Sequence, residues 1–168
     1  MMEWYEIEHW RAVDEKFHAR YNFQPLCSIF AKGIEPRDSN VVFKEYKMAV
    51  KRTYTENDDL EQAYFDGEKW TKELFLRFFG EEMYALDSYH DYYRFLVNTE
   101  YPRGEFGEWC VPYLPDGDYY FFLNMDMSLA WLGHPWRNTV TVVGAELVAY
   151  IEENGCPFLE GEPASPSK

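Results

Sequence analysis

The chain has 168 residues, enough for one domain with a substantial core and too few for two domains of ordinary size. Its net charge of −14, from 30 acidic and 16 basic side chains, disfavours binding to nucleic acid or to an anionic membrane surface. The same charge favours a basic protein as a partner, unless it serves only to keep the protein soluble.

The first predicted element is an amphipathic helix over residues 5–21. Trp10, Val13, Phe17 and Tyr21 follow one another at spacings of three and four residues. In a helix this spacing places the four side chains on one face, which would pack against the core.

Two short strands are predicted next, over residues 27–31 and 41–50, with turn-forming residues 35–40 between them. A second helix is predicted over residues 55–79, because its acidic start suits the positive end of a helix dipole. Gly67 is predicted to interrupt this helix, since glycine lowers helix stability.

The pattern after residue 82 is typical of β-structure. Five strands are predicted, over residues 83–86, 92–97, 119–123, 129–132 and 139–143. A last helix is predicted over residues 145–153 and a flexible Pro/Glu/Ser tail over residues 155–168. This order lacks regular β-α-β alternation, so we predict a single α+β domain over residues 1–154 with a mostly antiparallel sheet.

The cysteine pattern indicates a reducing compartment. Cys27, Cys110 and Cys156 are odd in number and widely spaced, which does not suit a disulfide framework. The sequence has no apolar run of about 18 residues that would span a membrane, and its acidic N-terminus is unlike a signal peptide. We therefore expect a cytoplasmic protein without membrane association. Since no phosphate-binding or dinucleotide motif occurs, we expect no cofactor.

Aromatic side chains make up 20% of the chain. Most lie in strand-like or helix-periodic segments, which favours a core built from aromatic rings. The alternative is an aromatic surface that binds a ligand or a partner. Tyr120, Trp131 and Trp136 are the candidates for such a surface.

The charge is unevenly distributed along the chain. Residues 37–52 contain five basic and two acidic side chains, and an acidic cluster follows them directly. Its four members, Glu56, Asp58, Asp59 and Glu61, are the candidate surface for a basic partner protein, because opposite charges steer association.

Four polar residues are candidates for catalysis or ligand binding. Asp87 precedes His90 by three residues, and a carboxylate can orient an imidazole across such a turn. His134 lies in a Gly-His-Pro-Trp corner that holds its ring in place, and Asp118 lies in a Pro-Asp-Gly-Asp turn. The alternatives are a structural histidine bonded to a nearby carbonyl and a turn-forming aspartate. No histidine pair has the spacing of metal ligands on a helix, and no metal is predicted.

Several segments together resemble a bacterial family known as domain of unknown function 2716. They are Tyr84-Ala85-Leu86-Asp87 with His90 and Tyr93, Pro115–Leu123, Gly133-His134-Pro135-Trp136, and Val142-Val143-Gly144 with Leu147. Ser88 and Arg137 stand where members of the family often have tryptophan and an acidic residue. The resemblance extends over about residues 10–150 and implies a compact cytoplasmic bacterial domain. It implies no activity, because the family has none assigned.

Two functional hypotheses follow. The first is a non-catalytic acidic protein that recognises a basic partner, as immunity and inhibitor proteins do. The second is a small enzyme or ligand-binding domain with a pocket around His134 and His90, to which Asp87 and Asp118 contribute. A structure that keeps His90 and His134 apart would exclude a pocket that they share.

Overall fold

The computed structural model describes residues 3–26, 28, 30–49 and 58–160, except for the side chains of residues 58–60. Within these residues the chain forms three α-helices, a seven-stranded sheet and a two-stranded ribbon. The predicted α+β fold is therefore confirmed.

The elements have the following bounds in chain order. They are β1 (Trp4–Glu6), α1 (Trp10–Arg20), β2 (Tyr21–Asn22), β3 (Glu35–Pro36), β4 (Phe43–Lys47), α2 (Asp58–Phe78), β5 (Glu82–Asp87), β6 (Tyr92–Leu96), β7 (Tyr120–Asn124), β8 (Ala130–His134), β9 (Thr139–Val143) and α3 (Ala145–Asn154). The small ribbon pairs β2 with β3, where the sequence predicts only a turn at residues 35–40.

The large sheet has the strand order β1-β6-β5-β7-β8-β9-β4, and every neighbouring pair is antiparallel. Its middle strands are apolar over almost their whole length, and β9 is rich in β-branched residues. Such strands are expected where both faces of a sheet are covered, and all five residues of β8 and of β9 are buried.

Helix α1 covers one face of the sheet. Val13, Phe17 and Tyr21 are buried as the spacing predicts, and the Phe17 ring stacks on Phe121 with the ring centroids 4.9 Å apart. Trp10 is instead 49% exposed at the first turn. The helix is shorter than predicted because Trp4–Glu6 pairs with β6 as an edge strand.

Helices α2 and α3 cover the opposite face, where Phe75 and Leu147 join the main core. Gly67 does not interrupt α2, contrary to the prediction. The reason is tertiary: a Cβ atom at Gly67 would lie 2.1 Å from the Tyr113 hydroxyl oxygen. That hydroxyl donates a hydrogen bond to the Tyr64 carbonyl at 2.8 Å, so the helix passes close to a buried ring.

The chain after α3 packs onto the core. Phe158 and Leu159 are buried, and the Glu160 amide donates to the Lys47 carbonyl at 2.8 Å. The predicted flexible tail is therefore wrong for residues 156–160, because their apolar side chains complete the core. Residues 161–168 of that tail lie outside the described residues.

The strand predicted over residues 27–31 is not formed by residues 28, 30 and 31, the part of it that the structure describes. The strand predicted over residues 41–50 is present as Phe43–Lys47, an edge strand paired with β9. Among the described residues, no helix combines the length and the apolar composition needed to cross a bilayer.

Candidate functional site

The hairpin between β5 and β6 brings Asp87 and His90 into contact, as their spacing predicts. The Asp87 amide donates to the Asp91 carbonyl at 3.1 Å, and the His90 amide donates to the Asp87 carbonyl at 2.9 Å. Tyr89 at the turn adopts φ 77°, a left-handed conformation that is uncommon for a residue with a side chain. This turn places His90 Nδ1 3.0 Å from Asp87 Oδ1.

Asp118 reaches the same place from the segment that precedes β7. The Ser88 amide donates to the Tyr119 carbonyl at 3.1 Å, and Asp87 pairs with Tyr120 in the sheet. As a result, one side-chain donor atom from each of Asp87, His90 and Asp118 lies within 4.8 Å of the other two. We call these three residues the Asp–His–Asp group.

Burial and the charges within this group shift the pKa values of Asp87 and His90. Burial raises the pKa of Asp87 to about 6, the His90 contact opposes this shift, and the negative charges of Asp118 and Asp91 add to it. The hydrogen bond that its ring donates to the Asp87 carboxylate raises the pKa of His90. Asp87 and His90 therefore form a hydrogen-bonded pair that can share one proton, an arrangement that general acids and bases also use.

Two further carboxylates, Glu6 and Asp91, lie at the same end of the sheet as the Asp–His–Asp group. Glu6 pairs with Tyr93 at the edge of the sheet. Burial raises the pKa of Tyr93 to about 12, and Cys110 and the negative charges of Asp91, Glu6 and Asp87 add to the shift. Tyr89 is 69% exposed at the tip of the turn. We call Glu6, Asp87, Asp91 and Asp118, together with Tyr89, the acidic hairpin end.

His134 is a buried structural residue. It is 1% exposed, its Nε2 lies 3.0 Å from the Lys32 carbonyl oxygen, and its ring meets the Tyr119 ring with the centroids 4.8 Å apart. Its Nδ1 has no hydrogen-bond partner within the described part of the chain. This arrangement matches the structural alternative for His134, in which the ring bonds a nearby carbonyl.

His90 and His134 do not form a common pocket. His90 lies in the turn after β5 and His134 at the end of β8, with β7 between these two strands. Two strand spacings of about 4.8 Å each therefore separate β5 from β8, and His134 is not one of the three residues that converge. The predicted pocket around both histidines is not observed.

The burial of His134 predicts that its protonation destabilises the fold. Burial lowers the pKa of His134, the Lys32 carbonyl opposes this, and the Arg137 charge adds to it. Since the folded pKa lies below the ordinary value of 6.5, the unfolded chain binds the proton more readily. The stability contributed by neutral His134 is therefore complete above about pH 6.5 and is lost as the pH falls toward the folded pKa.

Urea unfolding of the wild type and of His134→Gln at about pH 7.5 and about pH 5.5 measures this effect. We expect the advantage of the wild type over the variant to shrink at the lower pH. His18→Gln, at a half-buried position on α1, is the matched control for the loss of a histidine elsewhere in the fold. An equal advantage of the wild type over His134→Gln at both pH values would contradict the prediction.

The three aromatic candidates differ in how far they are exposed to solvent. Trp131 is fully buried, and its indole N–H donates to the Tyr113 carbonyl at 2.7 Å. The predicted binding role of Trp131 is therefore wrong, because β8 is an inner strand covered on both faces. Tyr120 is half-buried, whereas Trp136 is 40% exposed in the turn between β8 and β9, so both stay candidates for binding.

The predicted acidic cluster at residues 56–61 lies largely outside the described residues. Glu56 is not described, nor are the side chains of Asp58 and Asp59, and Glu61 is exposed near the start of α2. Its role as a binding surface stays a prediction.

A depression of about 220 Å³ lies between α2 and α3, apart from the Asp–His–Asp group. It is lined by Trp70, Glu73, Leu74, Arg77 and Tyr150. Small-molecule sites usually enclose about 300–1,000 Å³, so this depression is small for a substrate pocket.

Comparison with known proteins places the chain in a family. A family model described as "Protein of unknown function (DUF2716)" matches residues 5–148. The chain belongs to this family. It is also 50% identical over 80 residues to the uncharacterized protein YxiI of Bacillus subtilis (strain 168), a match that covers 48% of this chain and 49% of YxiI. The match thus spans about half the length of that relative, and no solved structure matches the chain significantly. Neither the family description nor the name of this relative assigns a function.

Proposed function

We propose that the protein is a non-catalytic acidic protein that binds a basic partner protein, in the manner of an immunity or inhibitor protein. The observation that carries this proposal is the acidic hairpin end, where carboxylates from three separate segments lie at the same end of the sheet as an exposed tyrosine. Tyr89 is 69% exposed, and tyrosine is one of the residues that most often dominate the energy of a protein interface.

The charge at this surface favours a basic partner. In the described part of the chain, no lysine or arginine forms an ion pair with Asp87, Asp91 or Asp118. Carboxylates that no lysine or arginine neutralises attract basic side chains of a partner and accelerate encounter, with a strong dependence on salt. The hairpin is held by backbone hydrogen bonds, so binding would order few additional groups.

The same geometry gives little support to catalysis on a small substrate. His90 has a side chain 56% exposed, and an exposed imidazole does not benefit from the exclusion of water that strengthens catalytic electrostatics. His134, the second candidate base, is already engaged with the Lys32 carbonyl. Binding through the acidic hairpin end requires no enclosed pocket.

We propose further that the protein acts in the cytoplasm. Two of its cysteines, Cys110 and Cys156, are free thiols in the described structure, and burial raises the pKa of Cys110 to about 11. Such unreactive, unpaired thiols suit a reducing compartment.

The proposal predicts that charge reversal at the hairpin abolishes partner binding. Wild type and Glu6→Lys/Asp91→Lys would be immobilised and exposed to lysate of the bacterial host at low salt. We expect the wild type to retain a basic protein and to release it as the salt concentration is raised. The variant should retain at least about tenfold less of that protein, because its lysines repel the basic partner. The retained protein is then identified and titrated in purified form.

Glu73→Lys/Glu153→Lys is the matched control, since it changes the net charge equally at exposed positions on α2 and α3. It should retain the partner as the wild type does. A third protein, with Glu56, Asp58, Asp59 and Glu61 changed to lysine, tests the acidic cluster predicted from the sequence. The proposed interface is wrong if the hairpin variant binds like the wild type, or if only the third protein loses the partner.

A further inference from the structure

The geometry points to a metal site: we infer that the Asp–His–Asp group binds one divalent transition-metal ion, with Zn²⁺ as the reference ion. One nitrogen and two carboxylate oxygens converge there from two separate segments, the β5–β6 hairpin and the residue before Tyr119. Their donor atoms all lie within 4.8 Å of one another. This inference goes beyond the proposed partner binding, although Asp87 and Asp118 contribute to both.

The separation of the donor atoms suits a shared ion after small side-chain movements. Zinc bonds to imidazole nitrogen and carboxylate oxygen are about 2.0–2.2 Å long, which places two ligands of one ion about 3–4 Å apart. The His90 and Asp87 donors are already 3.0 Å apart. Asp118 is half-exposed and the His90 side chain is 56% exposed, so both can rotate toward an ion without disturbing the core.

The donor set selects the class of metal. Imidazole nitrogen suits zinc, cobalt, nickel and copper, whereas calcium and magnesium prefer sites made of oxygen ligands alone. Three protein ligands leave at least one coordination position for water or for a group from another molecule, as open zinc sites do.

The electrostatics of the group also favour a cation. The carboxylates of Asp87 and Asp118 lie close together, since their donor atoms are within 4.8 Å of each other. Within the described residues, no lysine or arginine pairs with either carboxylate. A divalent ion would neutralise these two carboxylates, which no lysine or arginine of the described residues pairs with.

Zinc titration of the untagged full-length protein by calorimetry tests the inference, with the absorption of bound Co²⁺ as a second readout of ligand type. We expect one ion per chain in the wild type. His90→Gln and Asp118→Asn should each weaken Zn²⁺ binding about tenfold or more, because each removes a ligand. Both positions lie in turns at the surface, and thermal unfolding of each variant verifies that it is folded.

Two control variants separate this site from adventitious binding. Asp116→Asn removes a carboxylate two residues from Asp118, and His18→Gln removes a histidine whose Nε2 lies 3.7 Å from Asp14 on α1. Both controls should bind Zn²⁺ as the wild type does. The inference is overturned if the wild type binds no ion, or if either site variant binds Zn²⁺ as tightly as the wild type. Because the titration contains no partner protein, a failure to bind Zn²⁺ overturns only this inference, and the retention experiment tests the proposed function separately.

Discussion

Replacing Trp131 with alanine is expected to lower the free energy of unfolding by about 3–5 kcal/mol. Trp131 is fully buried in β8, and its ring lies 5.9 Å from the Phe158 ring between centroids. Its removal leaves a cavity between the sheet and α2 and deprives the Tyr113 carbonyl of its hydrogen-bond donor at 2.7 Å. Since domains of this size are stable by about 5–15 kcal/mol, this loss would remove a large part of the stability. Urea unfolding followed by tryptophan fluorescence measures it.

Trp136→Ala is the matched control for Trp131→Ala. Both residues are tryptophans predicted from the sequence to bind a partner, but Trp136 is 40% exposed in a turn. Its replacement should change the free energy of unfolding by no more than about 0.5 kcal/mol. Similar losses in the two variants would show that the burial assigned to Trp131 is wrong.

Replacing Gly67 with alanine is expected to destabilise the protein by about 1–3 kcal/mol, although alanine is favoured over glycine in a helix by about 1 kcal/mol. The new Cβ would lie 2.1 Å from the Tyr113 hydroxyl oxygen and 2.8 Å from its Cζ. Tyr113 is 1% exposed, so its ring has no free space into which to move. Thermal or urea unfolding of the variant measures the effect.

A double-mutant cycle isolates the contact at Gly67. In a Tyr113→Phe background, which lacks the nearest clashing atom, Gly67→Ala should cost less than it does in the wild type. Lys69→Ala, at an exposed position of the same helix, should have an effect within about 0.5 kcal/mol. Stabilisation by Gly67→Ala would mean that helix propensity decides at this position and that the helix does not pass so close to Tyr113.

The inner strands could be predicted from the sequence because their signal is local. Strand β9 occupies the predicted residues 139–143, and β7 and β8 lie within two residues of their predicted bounds. Runs of apolar and β-branched residues favour extended structure wherever two covered faces are available. The face of α1 that carries Val13 and Phe17 was equally predictable, since it depends on spacing within one helix.

The outer elements could not be predicted in the same way. Strand β1 is three residues long, and it is ordered by pairing with β6. Phe158 and Leu159 lie in a segment whose composition is typical of a flexible tail, yet both are buried against the core. In each case a few residues gain order from partners far away in the chain, and a local pattern contains no information about those partners.

The same distinction between local and long-range information applies to the candidate site. The contact between Asp87 and His90 was predictable, because three residues separate them and a turn joins them. The arrival of Asp118, the burial of Trp131 and the separation of His134 from His90 depend on the order of β5, β7 and β8 in the sheet. Sequence alone determined the α+β composition, the core strands and the acidic charge, because these depend on residue type and near neighbours. The tertiary structure alone decided which polar side chains meet, because strand order is set by packing across the whole domain.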